Sequence, residues 1–212
     1  MKYKLMILAL LLAPGWLVAQ KPLTELTMVY NYTTSNSADP GKDIKATATF
    51  FLKGNLSRSD ISSSMFASTT IYDAQAGSGV ILKEINGQKL LIRMNEENWK
   101  GKNARYSAIK YADVPETRMI AGYSCTKATA TTKDGYTITV IYTRDLVPQN
   151  KAYDPPFENL PGLPLEYSFS KGTLRITYVL ASINLNPVPA SKFDIPTSGY
   201  RELTYDESRK SK

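Results

Sequence analysis

The sequence has no histidine and only one cysteine, Cys125, in 212 residues. The first absence removes the commonest general base, the commonest metal ligand and every histidine-dependent hydrolytic triad. The second rules out an internal disulfide and leaves one thiol that is best kept buried. Beyond residue 19 no apolar run approaches the about 20 residues that a membrane-spanning helix requires. Helical periodicity is equally scarce. The best candidate, Asn95 to Arg105, is polar on all faces and carries Gly101, so it reads as a loop or one short helix.

The usual chemical constellations are missing as well. Gly77-Ser78-Gly79 lacks the lysine and helix that follow a phosphate cradle and reads as a hairpin turn. Glu96 and Glu97, Asp206 and Glu207, and Asp145 and Asp154 form neither a metal loop nor an acid and base of inferable separation. Cys125 has only lysines such as Lys127 to activate it as a nucleophile, against the ordinary reading of a small, soft core residue. No catalytic residue, metal ligand or cofactor site is expected, and the chain reads as a non-enzyme.

At the N-terminus, Lys2 and Lys4 precede an apolar run from Leu5 to Ala13, then Pro14, Gly15 and the small residue Ala19. This pattern predicts a secretory signal peptide over residues 1–19, cleaved between Ala19 and Gln20, and a periplasmic or secreted mature chain. Without a cysteine at the new terminus the mature chain is expected to carry no lipid anchor. Removing Lys2 and Lys4 with no acidic residue lowers the formal charge from +7 to +5. A basic surface attracts nucleic acid, anionic headgroups and acidic glycans alike. Export argues against nucleic acid and leaves peripheral contact with an anionic membrane, although the positive residues are spread as an ordinary solvated surface would spread them.

The remaining sequence is dominated by a period of two. Leu26, Met28, Tyr30 and Tyr32 alternate with Thr27, Val29 and Asn31, and Ala46, Ala48, Phe50 and Leu52 alternate with Thr47, Thr49 and Phe51. Shorter strands are expected at Leu56 to Ile61, Phe66 to Tyr72, Gly79 to Ile85 and Lys89 to Met94, with turns at Gly54-Asn55 and Asn86-Gly87. A hairpin should join Met119–Thr131 to Tyr136–Thr143 across Lys133-Asp134-Gly135, and a second should turn at Lys171-Gly172. Prolines 148, 155, 156, 161 and 164 gather between these hairpins, as ordered turns or covering loops. The fold class follows: all-β with minor α, a curved antiparallel sheet of about eight to ten strands, half-barrel or barrel-like, over residues 20–205 as one domain, with a disordered basic tail at 206–212. The inner face of such a sheet is either a ligand cavity or a filled core.

Three motifs carry a family resemblance. Ile120-Ala121-Gly122-Tyr123-Ser124-Cys125-Thr126-Lys127-Ala128, then Tyr142-Thr143-Arg144-Asp145-Leu146, then Phe157-Glu158-Asn159-Leu160-Pro161-Gly162-Leu163-Pro164-Leu165-Glu166 resemble the signature region of the GLPGLI family of secreted bacterial proteins. Phe193-Asp194-Ile195-Pro196-Thr197-Ser198-Gly199-Tyr200 is similar to the closing pattern of a neighbouring family of exported domains. Asn159 stands where the first family has glycine, and Pro164 where it has isoleucine, which favours the second. The design of both resembles the periplasmic lipoprotein-carrier superfamily. The resemblance implies no catalytic set; it implies a curved sheet around an apolar cavity and a monomer that binds an apolar ligand, a lipid or lipoprotein segment.

The alternative is a protein-interaction or envelope-sensing module whose partner is an envelope protein. On either reading the candidate ligand or partner loop is Phe157, Leu160, Pro161, Gly162, Leu163, Pro164 and Leu165. The same segment also reads as a rigid apolar turn with Gly162 in a conformation other residues avoid. Gly122, Tyr123, Cys125, Phe193, Pro196, Gly199 and Tyr200 are expected to be structural, with the strand bending at Gly122.

Overall fold

Alternation of side chains accounts for the longest strand. In β1 (Glu25–Asn36) the side chains of Leu26, Met28 and Tyr30 are buried and the residues between them are not. The structure, a computed structural model, describes residues 22–210. The expected signal peptide and the last two residues lie outside that range.

After β1 come β2 (Ile44–Lys53), β3 (Leu56–Ser62), β4 (Phe66–Asp73), β5 (Ser78–Ile85) and β6 (Gln88–Met94), each antiparallel to the one before. Helix α1 (Glu96–Asn103) and a 3-10 turn at Ala104–Tyr106 lead into a second meander. It consists of β7 (Ala112–Ile120), β8 (Tyr123–Thr131), β9 (Thr137–Thr143), β10 (Leu163–Lys171) and β11 (Leu174–Asn184). β11 pairs with β1, with Tyr32 opposite Tyr178, so one seam joins the two meanders. β12 (Arg201–Thr204) adds to β6 in parallel, and α2 (Tyr205–Lys210) follows. The result is one curved sheet in the order β12-β6-β5-β4-β3-β2-β1-β11-β10-β9-β8-β7, not closed into a barrel. Among the described residues, a strand content of 54% against 14% helix bears out the all-β half-barrel expectation.

Several local expectations need correction. The sheet has twelve strands instead of eight to ten. Met119–Thr131 is not one strand: Ala121 (φ 50°) and Gly122 (φ 84°) form a two-residue turn between β7 and β8. Positive φ at both central residues is what a right-twisted hairpin needs, so Gly122 turns the chain instead of bending a strand. Residues 206–210, expected as part of a disordered tail, belong to α2. Gly162 does not adopt a left-handed conformation. Its need is spatial: a Cβ there would overlap the Thr143 backbone oxygen and lie 2.8 Å from the carbonyl carbon.

Register places one stripe of side chains on the inner face across the whole sheet. Met28 faces Phe50, Phe50 faces Ser59, and Ser59 faces Thr70; in the other direction Tyr32 faces Tyr178, Tyr178 faces Tyr167, and Tyr167 faces Val140. The main core gathers there around Tyr30, Ile138, Val140, Tyr142, Phe157 and Leu165. Burying an aliphatic or aromatic side chain of this size contributes roughly 1.5–3 kcal/mol.

The outer face is covered by the segment after β11. Val188 and Phe193 pack on Phe51, Leu56 and Ile71, and Tyr200 packs on Val80, Leu82 and Leu91. Arg58 donates to the Lys192 carbonyl at 2.6 Å and ties that strap to β3. No helix among the described residues is long and apolar enough to cross a membrane.

Candidate functional site

Inside the curve, side chains of β2, β3, β4, β10 and β11 surround a chamber of about 200 Å³. Its walls are uneven. Phe50, Tyr72, Tyr167, Phe169 and Tyr178 are large rings, whereas Ser57, Ser59 and Thr70 on β3 and β4 are small and leave the space unfilled. Tyr167 and Tyr178 stack at 4.4 Å, and Tyr30 meets both edge-on at 5.5 and 6.1 Å. The Tyr30 hydroxyl donates to the Pro164 carbonyl at 2.8 Å, which fixes this aromatic floor to the proline-rich loop.

Helix α1 closes one side, contributing Trp99, Lys102 and Asn103, with Tyr106 from the turn behind it. α1 has no apolar stripe, and its ends hold it instead. Asn95 accepts from the Asn98 amide at 2.9 Å, and the Asn98 side chain accepts from the Asn95 amide in return. Glu96 and Glu97 in the first turn and Lys100 and Lys102 in the last complement the helix dipole. Trp99 anchors it to the sheet by stacking on Tyr72 at 3.9 Å.

Tyr153, Asp154, Pro155 and Pro156 close the other side. Burial pushes the Asp154 carboxyl up to about 7, with Lys102 opposing the shift. What surface Asp154 retains belongs to a residue lining the chamber, which reconciles its partial exposure with its depth in the molecule. The Tyr153 hydroxyl is buried and has no hydrogen-bond partner among the described residues. Burial also lowers the affinity of Lys102 for its proton; neighbouring Arg105 adds to this, and Asp154 partly offsets it. The chamber therefore combines aromatic walls with ionisable groups, Lys102 and Asp154. Among the described residues no cluster of histidine, cysteine, aspartate and glutamate is suited to a metal ion.

The residues singled out in the sequence fall into separate places. Of the loop residues singled out, Phe157, Leu160, Gly162, Leu163, Pro164 and Leu165 are buried and Pro161 is exposed, as are Glu158 and Asn159 between them. Phe157 packs edge-on against Tyr167 at 4.7 Å, so the loop supports the chamber from behind. Tyr123 is half-buried after the Gly122 turn. Cys125 is buried, its thiol donates to the Tyr123 carbonyl at 3.3 Å, and burial pushes its pKa up. Phe193, Pro196, Gly199 and Tyr200 belong to the segment over the outer face and leading into β12, apart from the chamber. Tyr72, Trp99, Lys102, Tyr153 and Tyr178 line the chamber without having been marked in the sequence, and Asp154, set aside with Asp145 on sequence grounds, lines it too. The available signal was the 14 tyrosines, several on one face of neighbouring strands, beside the small Ser57-x-Ser59 positions.

No family model matches the chain, so the GLPGLI resemblance rests on the quoted motifs alone. No curated protein matches it either. Among solved structures, one of PNGF-II is similar with a TM-score of 0.53 and 13% identity, over 87% of this chain and 33% of that one. The present chain thus spans about one third of that protein's length. An uncharacterized conserved protein from Thermus thermophilus aligns with a TM-score of 0.49 and 9% identity, over 86% of this chain and 91% of that one. The LolA superfamily protein NE2245 from Nitrosomonas europaea aligns with a TM-score of 0.39 and 10% identity, over 83% and 92%. At such low identity the PNGF-II match speaks to the fold, and it extends over most of the curved sheet described above.

Proposed function

We propose that the protein is a non-enzymatic binder that holds a lipid-like, amphiphilic ligand in the chamber. The observation that carries this reading is the chamber itself: a space of about 200 Å³ framed by five strands, with rings on β2, β4, β10 and β11 around the small Ser57, Ser59 and Thr70. A filled core would have placed aliphatic side chains at Ser57, Ser59 and Thr70. Aromatic walls favour an apolar chain, while the protonatable Asp154 in the lining suits a ligand that also carries a polar group.

The leader-like residues 1–19 support placing this binder in the periplasm or outside the cell. For the loop from Phe157 to Leu165 we assign a supporting role: Phe157 holds Tyr167 in place, and Glu158, Asn159 and Pro161 are the exposed residues left for an envelope partner to touch.

Native mass spectrometry of protein purified from its own envelope fraction, followed by solvent extraction of any adduct, tests the reading. A stoichiometric amphiphile that is lost in a folded Ser59→Leu variant is the expected result. A bare mass, with no uptake of octan-1-ol or octyl phosphate on incubation, overturns it.

A further inference from the structure

Next to the chamber lies a wider depression of about 560 Å³, lined in part by α1 and α2. Lys102, Asn103 and Tyr106 line both spaces, so the two are neighbours. The second differs from the first in charge. Lys83 from β5, Lys102 from α1, Arg105 from the following turn and Arg209 from α2 all line it, and among the described residues no carboxylate does.

Lys83 is the least expected of these. It is two positions along β5 from Ile81, so both project from the inner face, and Ile81 lies opposite Ile92 in a buried cluster. A lysine on the inner face of a curved sheet sacrifices burial unless its ammonium has something to meet. Arg105 is held by Asp134 at 3.1 Å, outside the residues lining the depression, which orients the guanidinium without an acid inside it. Four cations from four separate elements, converging on a concave space without an acidic residue in its lining, make a strong local attraction for an anion. Guanidinium and ammonium groups together suit phosphate or carboxylate oxygens.

We propose that this depression seats the anionic headgroup of the ligand. It rests on the reading given above and narrows it: the ligand is a single-chain amphiphile whose phosphate or carboxylate lies among Lys83, Lys102, Arg105 and Arg209 while its chain enters the aromatic chamber. On this proposal one molecule occupies both spaces and passes Lys102, Asn103 and Tyr106, the residues they share.

Isothermal titration of the full chain with octyl phosphate, octan-1-ol and inorganic phosphate tests this. Octyl phosphate should bind at least about tenfold tighter than octan-1-ol, an advantage worth about 1.4 kcal/mol. K83Q/R209Q should erase that advantage and leave octan-1-ol binding unchanged. Raising the ionic strength tenfold should weaken octyl phosphate several-fold and spare octan-1-ol, a readout that needs no variant. Equal binding of octyl phosphate and octan-1-ol overturns the headgroup seat while leaving the chamber reading intact. Inorganic phosphate binding as tightly as octyl phosphate also overturns the proposal, because the depression then serves a free anion. Binding of none of the three overturns the seat and the chamber together.

Discussion

Tyr72 and Trp99 lie face to face, ring centroids 3.9 Å apart and planes 7° from parallel. Tyr72 belongs to the sheet and Trp99 to α1, so this stack is the main apolar fastening of a helix that otherwise presents polar residues on every side. Replacing Trp99 with alanine should cost about 3 kcal/mol. It should also release the Trp99–Asn103 amides to fast hydrogen exchange. A double-mutant cycle with Tyr72→Ala should give a coupling of about 1 kcal/mol; additive losses would mean the rings do not fasten the helix.

Asp154 gives the chain a specific pH dependence. Its carboxyl is raised from 3.8 to about 7 in the folded protein by burial, with Lys102 acting the other way. Because the unfolded chain ionises this group at lower pH, its contribution to stability is fully present below about pH 4 and is lost as pH rises through 7. Asp154→Asn should flatten that stretch of the profile and stabilise the protein at pH 8 by about 2 kcal/mol. Denaturant titrations at three pH values would show it, and an unchanged slope would mean the carboxyl is hydrated.

Two glycines should respond differently to alanine. At Gly162 the added methyl has to displace the Thr143 backbone, and a loss of about 2 kcal/mol is expected. At Gly122 a Cβ meets nothing within 4 Å, and only its φ of +84° is unfavourable, so the loss should be about 1 kcal/mol. Thermal melts of the two variants side by side would invert the order if turn conformation outweighed crowding.

Tyr30→Phe isolates the link between the aromatic floor and the loop. It removes the 2.8 Å hydrogen bond to the Pro164 carbonyl and leaves that buried oxygen without its donor. A loss of about 1–2 kcal/mol by chemical denaturation is expected. A neutral result would show that the carbonyl finds another partner.

The strands with a buried face were legible because alternation is a local signal. Leu26, Met28 and Tyr30 announce β1 without reference to any partner. β7 was not legible in the same way: Asp113, Pro115 and Glu116 break the alternation, and a register shift falls between Val114 and Thr117. Such a proline is acceptable there because β7 is an edge strand. β12 is only four residues long and owes its place to pairing with β6. The chamber was hidden for another reason. Ser57 and Ser59 look like solvent-facing positions until the register puts them opposite Tyr72 and Thr70, and Asp154 gains its character only from elements far away in sequence. The proline-rich loop drew attention through its unusual composition, yet that composition serves burial.

The seam between β1 and β11 also bears on how the site comes into being during folding. Within each meander every strand pairs with its neighbour in sequence, whereas the seam joins Tyr32 to Tyr178 across most of the chain. Loop-closure entropy delays such contacts, so the two halves can form early and the seam should close late. Ser57, Ser59 and Thr70 stand on one half, and Tyr167, Phe169 and Tyr178 on the other. Neither half alone encloses any space, and the nascent chain gains its binding capacity in the same event that completes the sheet.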